Sequence, residues 1–490
     1  MTGILGSFRR NRTRAILFAA LLVFFLLAIG GMGTEDWIIT LLRALSVAAV
    51  TFLVASGFSL IFGLMDVLNL AHGTLFMIGA YMGWTVYVRP DTFLGLAAPL
   101  ALLAAGLVLL PLVDRLLARI SLPEKPARIL PWALLALGLL LVWFAFPRFP
   151  ITGWDTQVYE NSPIIFGSQL DEGILDLPAP VTVDPSTFAL GVIAILLGGA
   201  LLAAGLAAFA RRNRAGSVAG RGIPGRAVAA SVVLIVLGVA LSAFAQPLTQ
   251  ALVASGTTVR FFIAIVIATL AGAGLGALME VSLIRPLYSR PIYQLMLTLG
   301  LGVVGREVVI AVWGRTQLTM AKPALFDTSG PGCPAQSIGD WLAHQCSTIT
   351  FMGSRIRTYN EIFVILVGLI VLVAVWLLLQ RSRIGMVIRA GVQDREMVEA
   401  LGINVRRVFT FVFALGVALA ALGGVLSGPA TGVSDGMGES LLLSGLIALA
   451  IGGLTSFPGA AAGSLLVGLV QQFMVQYGQI GISLPFLSEP

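Results

Sequence analysis

The sequence predicts an all-α polytopic membrane protein, a bundle of roughly 11–13 transmembrane helices, on three observations. Only 11% of its 490 residues are charged and 58% are hydrophobic, whereas a soluble domain carries about 25% charged residues. Apolar runs recur along the whole chain at the length of about 20 residues that a spanning helix needs. These runs are continuous, whereas the strands of a membrane barrel alternate apolar and polar residues.

Apolar length and the placement of Lys and Arg put spans near 16–31, 37–60, 64–88, 93–118, 129–147, 187–210 and 227–250. Further spans fall near 261–284, 292–313, 362–380, 408–428, 440–453 and 459–478. The third and the last two read as short or broken. The opening MTGILGSFRRNRTR ahead of an apolar run has the form of a signal peptide, but no small-residue cleavage site follows. A retained first helix with a cytoplasmic N-terminus is therefore expected.

Loop charges orient the bundle. RRNRTR, Arg115 to Arg128, RRNRAGSVAGRGIPGR, RPLYSR and the stretch 381–407 fall on one side. Residues 149–186 fall on the other, with Asp155, Glu160, Asp171, Glu172, Asp176 and Asp184 and no Lys or Arg. The basic side is expected to be cytoplasmic. The net charge of +7 then reports topology and lipid contact, not nucleic acid. Arg43 and Arg89 run against the bias.

Enzymatic motifs are absent. The sequence holds no G-x-x-x-x-G-K-[ST], no H-E-x-x-H and no G-x-S-x-G, and its only histidines are His72 and His344. Neither Lys125 nor Lys322, its two lysines, follows a Gly-rich loop, so nucleotide hydrolysis by that route is excluded. Intramembrane ionisable candidates are Asp66, Glu280 and the adjacent Arg306 and Glu307. Adjacent residues point in different directions on a helix. Arg306 and Glu307 each need a partner, or lie near the interface. Cys333 and Cys346 share the loop 316–361. A disulfide is expected if that side is oxidising, with two free thiols as the alternative. No metal-like Cys/His cluster occurs.

Between two spans lies RSRIGMVIRAGVQDREMVEALGINVRR, residues 381–407. Asp394 can cap a short helix, Gly402 can end it, and Met397, Val398 and Leu401 make an apolar stripe. Such a helix either rests on anionic lipid or docks into a partner's groove.

Four strings in order resemble one family. GLMDVLNLAHGTLFMIGAYMG, MEVSLIRPLYSRP, the 381–407 loop and GGLTSFPGAAAG are similar to segments of the membrane permeases of branched-chain amino acid (Liv-type) ABC importers. The N-x-A-H-G string is that of the first permease of the pair. The resemblance implies a second permease subunit in a heterodimer, two cytoplasmic ABC ATPases and a periplasmic solute-binding protein, in a bacterial inner membrane. ATP and Mg would be bound by the ATPases, with no cofactor and no catalytic residue in this chain. It also implies that Asp394, Glu396, Met397, Val398, Leu401 and Gly402 form the helix that couples to an ATPase. Family members are shorter, so the chain divides into permease cores at 1–91 and 256–490 around an added block at 92–255. That block reads as a peripheral scaffold of about four spans.

The string at 66–83 carries Asp66, Asn69 and His72 in an apolar stretch. On a regular helix His72, Gly79 and Gly83 would share one face, with Asn69 about 60° away. It reads either as a polar packing knot or as a translocation path or gate carried by Asn69, His72 and Gly73. A broken helix is tolerated in a membrane only beside protein or a water-lined cavity. LTSFPGAAAGSLLVG has a similar order and could be its internal counterpart. The expected function is an ATP-driven permease for branched-chain or related amino acids. Alternatives are a permease for urea, short amides or another small solute, and a secondary carrier needing no ATPase.

Overall fold

A computed structural model describes residues 33–117, 124–151, 181–212, 225–288, 290–393 and 395–480. The predicted span 16–31 and acidic residues 155–176 lie outside the described residues, as does Asp394. The helices are α1 (Thr34–Met65), α2 (His72–Val88), α3 (Pro90–Val108), α4 (Leu110–Leu117), α5 (Glu124–Ala145) and α6 (Pro185–Arg212). Then come α7 (Gly225–Ala243), α8 (Ala245–Ala254), α9 (Gly256–Met279), α10 (Pro291–Trp313), α11 (Ile338–His344) and α12 (Val364–Arg381). The last five are α13 (Arg383–Gln393), α14 (Arg395–Ala400), α15 (Val405–Thr431), α16 (Met437–Gly452) and α17 (Phe457–Ile480). Among the described residues, ten segments are long and apolar enough to cross a membrane, and α16 is a shorter apolar helix. The protein is an all-helical polytopic membrane protein.

The spans expected near 93–118 and 227–250 each divide in two, at Leu109 and at Phe244. The span expected at 64–88 is shorter than its apolar length, because α1 runs on to Met65 and α2 begins only at His72. Asp66 takes the left-handed conformation (φ 54°) and donates its N–H to Phe62 O at 2.9 Å, closing α1. Asp tolerates that conformation better than most residues, and its side chain stays exposed.

Residues 1–84 with 261–490 form one compact unit, and 85–260 another. In the first, α15 is the central helix: 72% of its apolar window is buried. Small residues bring its backbone close to α1 and α2, as in membrane helix pairs generally. Gly416 meets Gly57, Ala421 meets Gly79, and Gly424 lies against the Phe76 carbonyl. In the second unit Gly138 faces Gly198 and Gly106 faces Gly199, around a core of Leu102, Ala145, Phe149, Ala194 and Ile195.

Two segments, Glu280–Ile284 and Thr358–Phe363, are π-helical, and each carries a buried carboxylate, Glu280 or Glu361. The loop between α10 and α12 folds over a hairpin of β1 (Thr348–Phe351) and β2 (Ser354–Arg357). Thr348 stands opposite Arg357 in the antiparallel pair. Cys333 and Cys346 are joined by a disulfide, with Cα atoms 5.6 Å apart.

Candidate functional site

The break at 66–71 is a hydrogen-bonded turn in which the Asn69 Nδ2 stays buried without a partner. Asn69 precedes α2, so the helical-face reading that included it does not hold. Its Oδ1 accepts the Ala71 N–H at 3.2 Å, and its carbonyl accepts the His72 N–H at 3.1 Å. Thr298 on α10 supplies further links: its Oγ1 accepts the Leu70 N–H at 3.2 Å, and its proton is shared between Leu295 O at 3.0 Å and Leu68 O at 3.3 Å. The N–H groups of Leu70, Ala71 and His72 are thus paired inside protein, as an apolar setting requires. Removing that hydroxyl with Thr298→Val is expected to cost about 1–3 kcal/mol, read as a lower unfolding temperature of the purified chain. An unchanged temperature would show that the turn holds without it.

His72 and Asn69 are fully buried. The His72 Nε2 lies 3.2 Å from Val54 O, and its ring meets Phe58 edge-on at 5.7 Å. Gly73 lies where an added Cβ would run into the Gly438 carbonyl. The starts of α2 and α16 therefore touch through backbone. Of the three residues predicted for the path, His72 packs against α1 and Gly73 against α16, while Asn69 holds the turn before them.

A cavity of about 570 Å³ opens in the same unit. Asn69, His72 and Gly73 do not line it, but Phe76, one turn further along α2, does. Its polar wall includes Arg43 of α1, Asn360 and Glu361 of the π turn, Ser427 of α15 and Ser440 of α16. Apolar wall comes from Val47, Val50 and Leu441. Glu361 accepts from the Arg357 Nε and Nη2 at 3.1 and 3.0 Å, while the Arg43 Nε stands 3.8 Å from it. Beside the cavity, between lining residues Ser434 and Gly436, Asp435 pairs with Arg306 at 2.9 Å. Arg306 also reaches Glu439 at 3.2 Å, and its neighbour Glu307 is exposed. One member of the charged pair has partners on the α15–α16 linker and α16; the other faces out.

A second polar cluster lies where α9 ends. Glu280, fully buried, accepts the Arg285 Nε and Nη2 at 3.1 and 2.7 Å and the Thr410 hydroxyl at 2.8 Å. The Tyr288 hydroxyl also donates to it. Thr410 stands in the second turn of α15, so this carboxylate ties α9 to the helix that follows the 381–407 loop.

That loop holds two helices, α13 and α14, rather than one. Val398 is buried, whereas Met397 is 58% and Leu401 71% exposed. These two are four apart, so they share a face. Gly402 ends the turn at φ +79°, with its N–H donating to Glu399 O at 3.0 Å. Side-chain placement for Glu396, like Asp394, lies outside the described residues. Sequence reasoning missed Thr298, Thr410 and Asp435, whose partners lie far along the chain, and Asn360 and Glu361, which only the fold places in the cavity wall. Arg43 was visible only as an exception to the charge bias.

A polytopic helical bundle with a charged, hydroxyl-lined cavity among its helices has the architecture of a membrane transport protein. Residues 186–487 match the family described as branched-chain amino acid transport system / permease component, more than half of the chain, and the chain belongs to that family. Among its relatives is the high-affinity branched-chain amino acid transport system permease protein BraD of Pseudomonas aeruginosa, 35% identical over 25% of this chain and 40% of that protein. LivH of Escherichia coli, similarly described, is 28% identical over 39% of this chain and 56% of its own length. The chain thus spans only about half the length of these relatives. The fructose import permease protein FrcC of Rhizobium meliloti is 25% identical over 60% of this chain and 77% of that one. No solved structure matches.

Proposed function

We propose that the chain is the membrane-spanning subunit of an ATP-driven importer for branched-chain or related amino acids. The observation that carries this reading is the pair of exposed apolar side chains, Met397 and Leu401, on a short helix directly before the central helix of the cavity-bearing unit. An exposed apolar anchor at helical spacing suits a groove on a partner. On this reading α14 seats in a cytoplasmic ATPase, with a second permease subunit and ATPase completing the core and a periplasmic solute-binding protein delivering the solute. ATP and Mg²⁺ are held by the ATPases, in a bacterial inner membrane with this chain's N-terminus in the cytoplasm. Residues 92–255 serve as a peripheral scaffold.

Movement of α14 would pass to α15 and, through Thr410 and Glu280, to α9, so that the cavity opens alternately to the two sides. Asn69, His72 and Gly73 act on this gate indirectly, by holding α2 and therefore Phe76 in the cavity wall. Replacing Met397 and Leu401 with Glu is expected to abolish uptake while the chain still folds. Full uptake by the double variant would remove the coupling assignment, and robust ion-driven uptake by the lone chain would favour a secondary carrier. The similarity to a fructose permease supports a second reading, import of a neutral sugar. Comparing leucine and fructose uptake by the assembled transporter decides between them.

A further inference from the structure

The ion-pair pattern in the cavity points to a recognition site. Among the described residues, three charged side chains line the cavity: Arg43, Arg357 and Glu361. Glu361 is committed to Arg357, accepting from two guanidinium nitrogens and from the Arg357 backbone N–H. That pair sums to zero. Arg43 has only the ion-pair contact at 3.8 Å, too long for a hydrogen bond, and its Nε is buried without a hydrogen-bond partner. Its side chain is 40% exposed. The lining therefore carries one surplus positive charge, ten residues into a membrane-spanning helix.

We propose that Arg43 is the carboxylate-binding group of a solute subsite in this cavity, and that it selects an aliphatic monocarboxylate such as a branched-chain amino acid. The proposal rests on the reading of the cavity as part of the solute path. A guanidinium carried on a membrane-spanning helix is costly unless paired, and a carboxylate matches its planar fork with two parallel hydrogen bonds. Glu361 restrains Arg43 from one side without neutralising it. Val47, Val50, Phe76 and Leu441 offer apolar wall for a branched alkyl group. Ser440 and Ser444 donate their hydroxyls to the carbonyls of Met437 and Ser440, leaving oxygen lone pairs that can accept from an ammonium. Among the described residues, no uncommitted carboxylate lines the cavity to balance that ammonium. The carboxylate is thus the charge that is read, and the amine is secondary. A sugar, having no charge, would leave Arg43 unpaired.

The test uses the full chain in lipid nanodiscs carrying Ser434→Cys in the cavity lining, whose alkylation rate reports cavity occupancy; the native cysteines are disulfide-bonded. Leucine and isocaproate are expected to slow alkylation, while leucinamide and fructose are not. Adding Arg43→Gln should weaken the protection by about tenfold or more, the weight of a charged hydrogen bond, with Arg43→Lys recovering part of it. Equal protection by leucinamide, protection unaltered in Arg43→Gln, or no protection by leucine would overturn the subsite. If Arg43→Gln does not fold, the comparison of leucine, isocaproate and leucinamide on the Arg43-containing chain decides alone. Leucine uptake by the assembled transporter separates the two readings. Its absence counts against the transport function, whereas uptake that Arg43→Gln leaves unimpaired counts against this subsite only.

Discussion

Replacing Glu280 with alanine is expected to destabilise the protein by about 3–5 kcal/mol, the range for breaking a buried ion pair from one side. The carboxylate is fully buried and accepts from Arg285, Thr410 and Tyr288. Its loss removes the carboxylate that Arg285 and Tyr288 donate to, leaving the Thr410 hydroxyl oxygen as the Arg285 acceptor while the Thr410 proton can turn to the Arg406 carbonyl. Arg285 is the more forgiving partner, since its side chain is 30% exposed and can turn outward. Arg285→Leu should therefore still strand Glu280, while the double change Glu280→Met with Arg285→Leu should recover much of the stability. An apolar pair of similar volume often replaces a buried ion pair without loss. Thermal unfolding of the purified chain, with size-exclusion recovery as a second readout, measures all three. A further consequence concerns coupling. If the double variant folds but no longer imports, Glu280 transmits movement from α15 to α9; if it imports normally, the cluster is a structural clasp. Equal stability of Glu280→Ala and the unmodified chain would contradict the burial itself.

Alanine at Gly73 or Gly424 is expected to have an effect of similar size, for a steric reason. At Gly73 the new Cβ would overlap the Gly438 carbonyl and lie 2.8 Å from the Leu442 Cβ. At Gly424 it would overlap the Phe76 carbonyl and lie 2.9 Å from the Ala80 nitrogen. Backbone atoms cannot rotate aside, so the helices must separate, at a cost of about 1–3 kcal/mol or more for each overpacked site. Gly274 and Gly300 are controls within the same unit, since an added Cβ there meets nothing within 4 Å. Alanine at either should be neutral, or slightly favourable because it is the better helix former. Gly73→Ala combined with Gly438→Ala should fall short of the sum of the singles, because both push apart the same contact. The decisive comparison is folded yield and unfolding temperature across the series. Tolerance at Gly73 equal to that at Gly274 would mean that α2 and α16 do not meet.

Much of the architecture was legible along the chain, because spanning helices declare themselves by apolar length alone. The expected spans at 129–147, 187–210, 292–313 and 408–428 correspond to α5, α6, α10 and α15. Less legible were the ends and breaks. The 64–88 stretch is apolar throughout its flanks, so length could not show that Asp66 would close α1 and that the turn would lean on Thr298, more than 200 residues away. Met397 and Leu401 were found by helical spacing, but that spacing placed Val398 on the same stripe, and only packing turned it inward.

The candidate site was the least legible part. Asn69 and His72 drew attention because polar residues are expensive in an apolar run; the Asn69 Oδ1 and His72 Nε2 are used in the turn and on Val54, while the Asn69 Nδ2 and His72 Nδ1 are buried without partners. The cavity is assembled from α1, α2, the π turn at 358–363, α15, α16 and α17, and no local pattern marks its members.

What the sequence by itself determined was the class: a positively biased, multi-helical membrane permease, since apolar run length, loop charge and short motifs are local and additive. Only the tertiary structure decided which polar residues face open space and which are consumed. That depends on partners far apart in the chain, as when Thr410 of α15 meets the buried Glu280 beyond α9 and Thr298 of α10 holds the turn before α2.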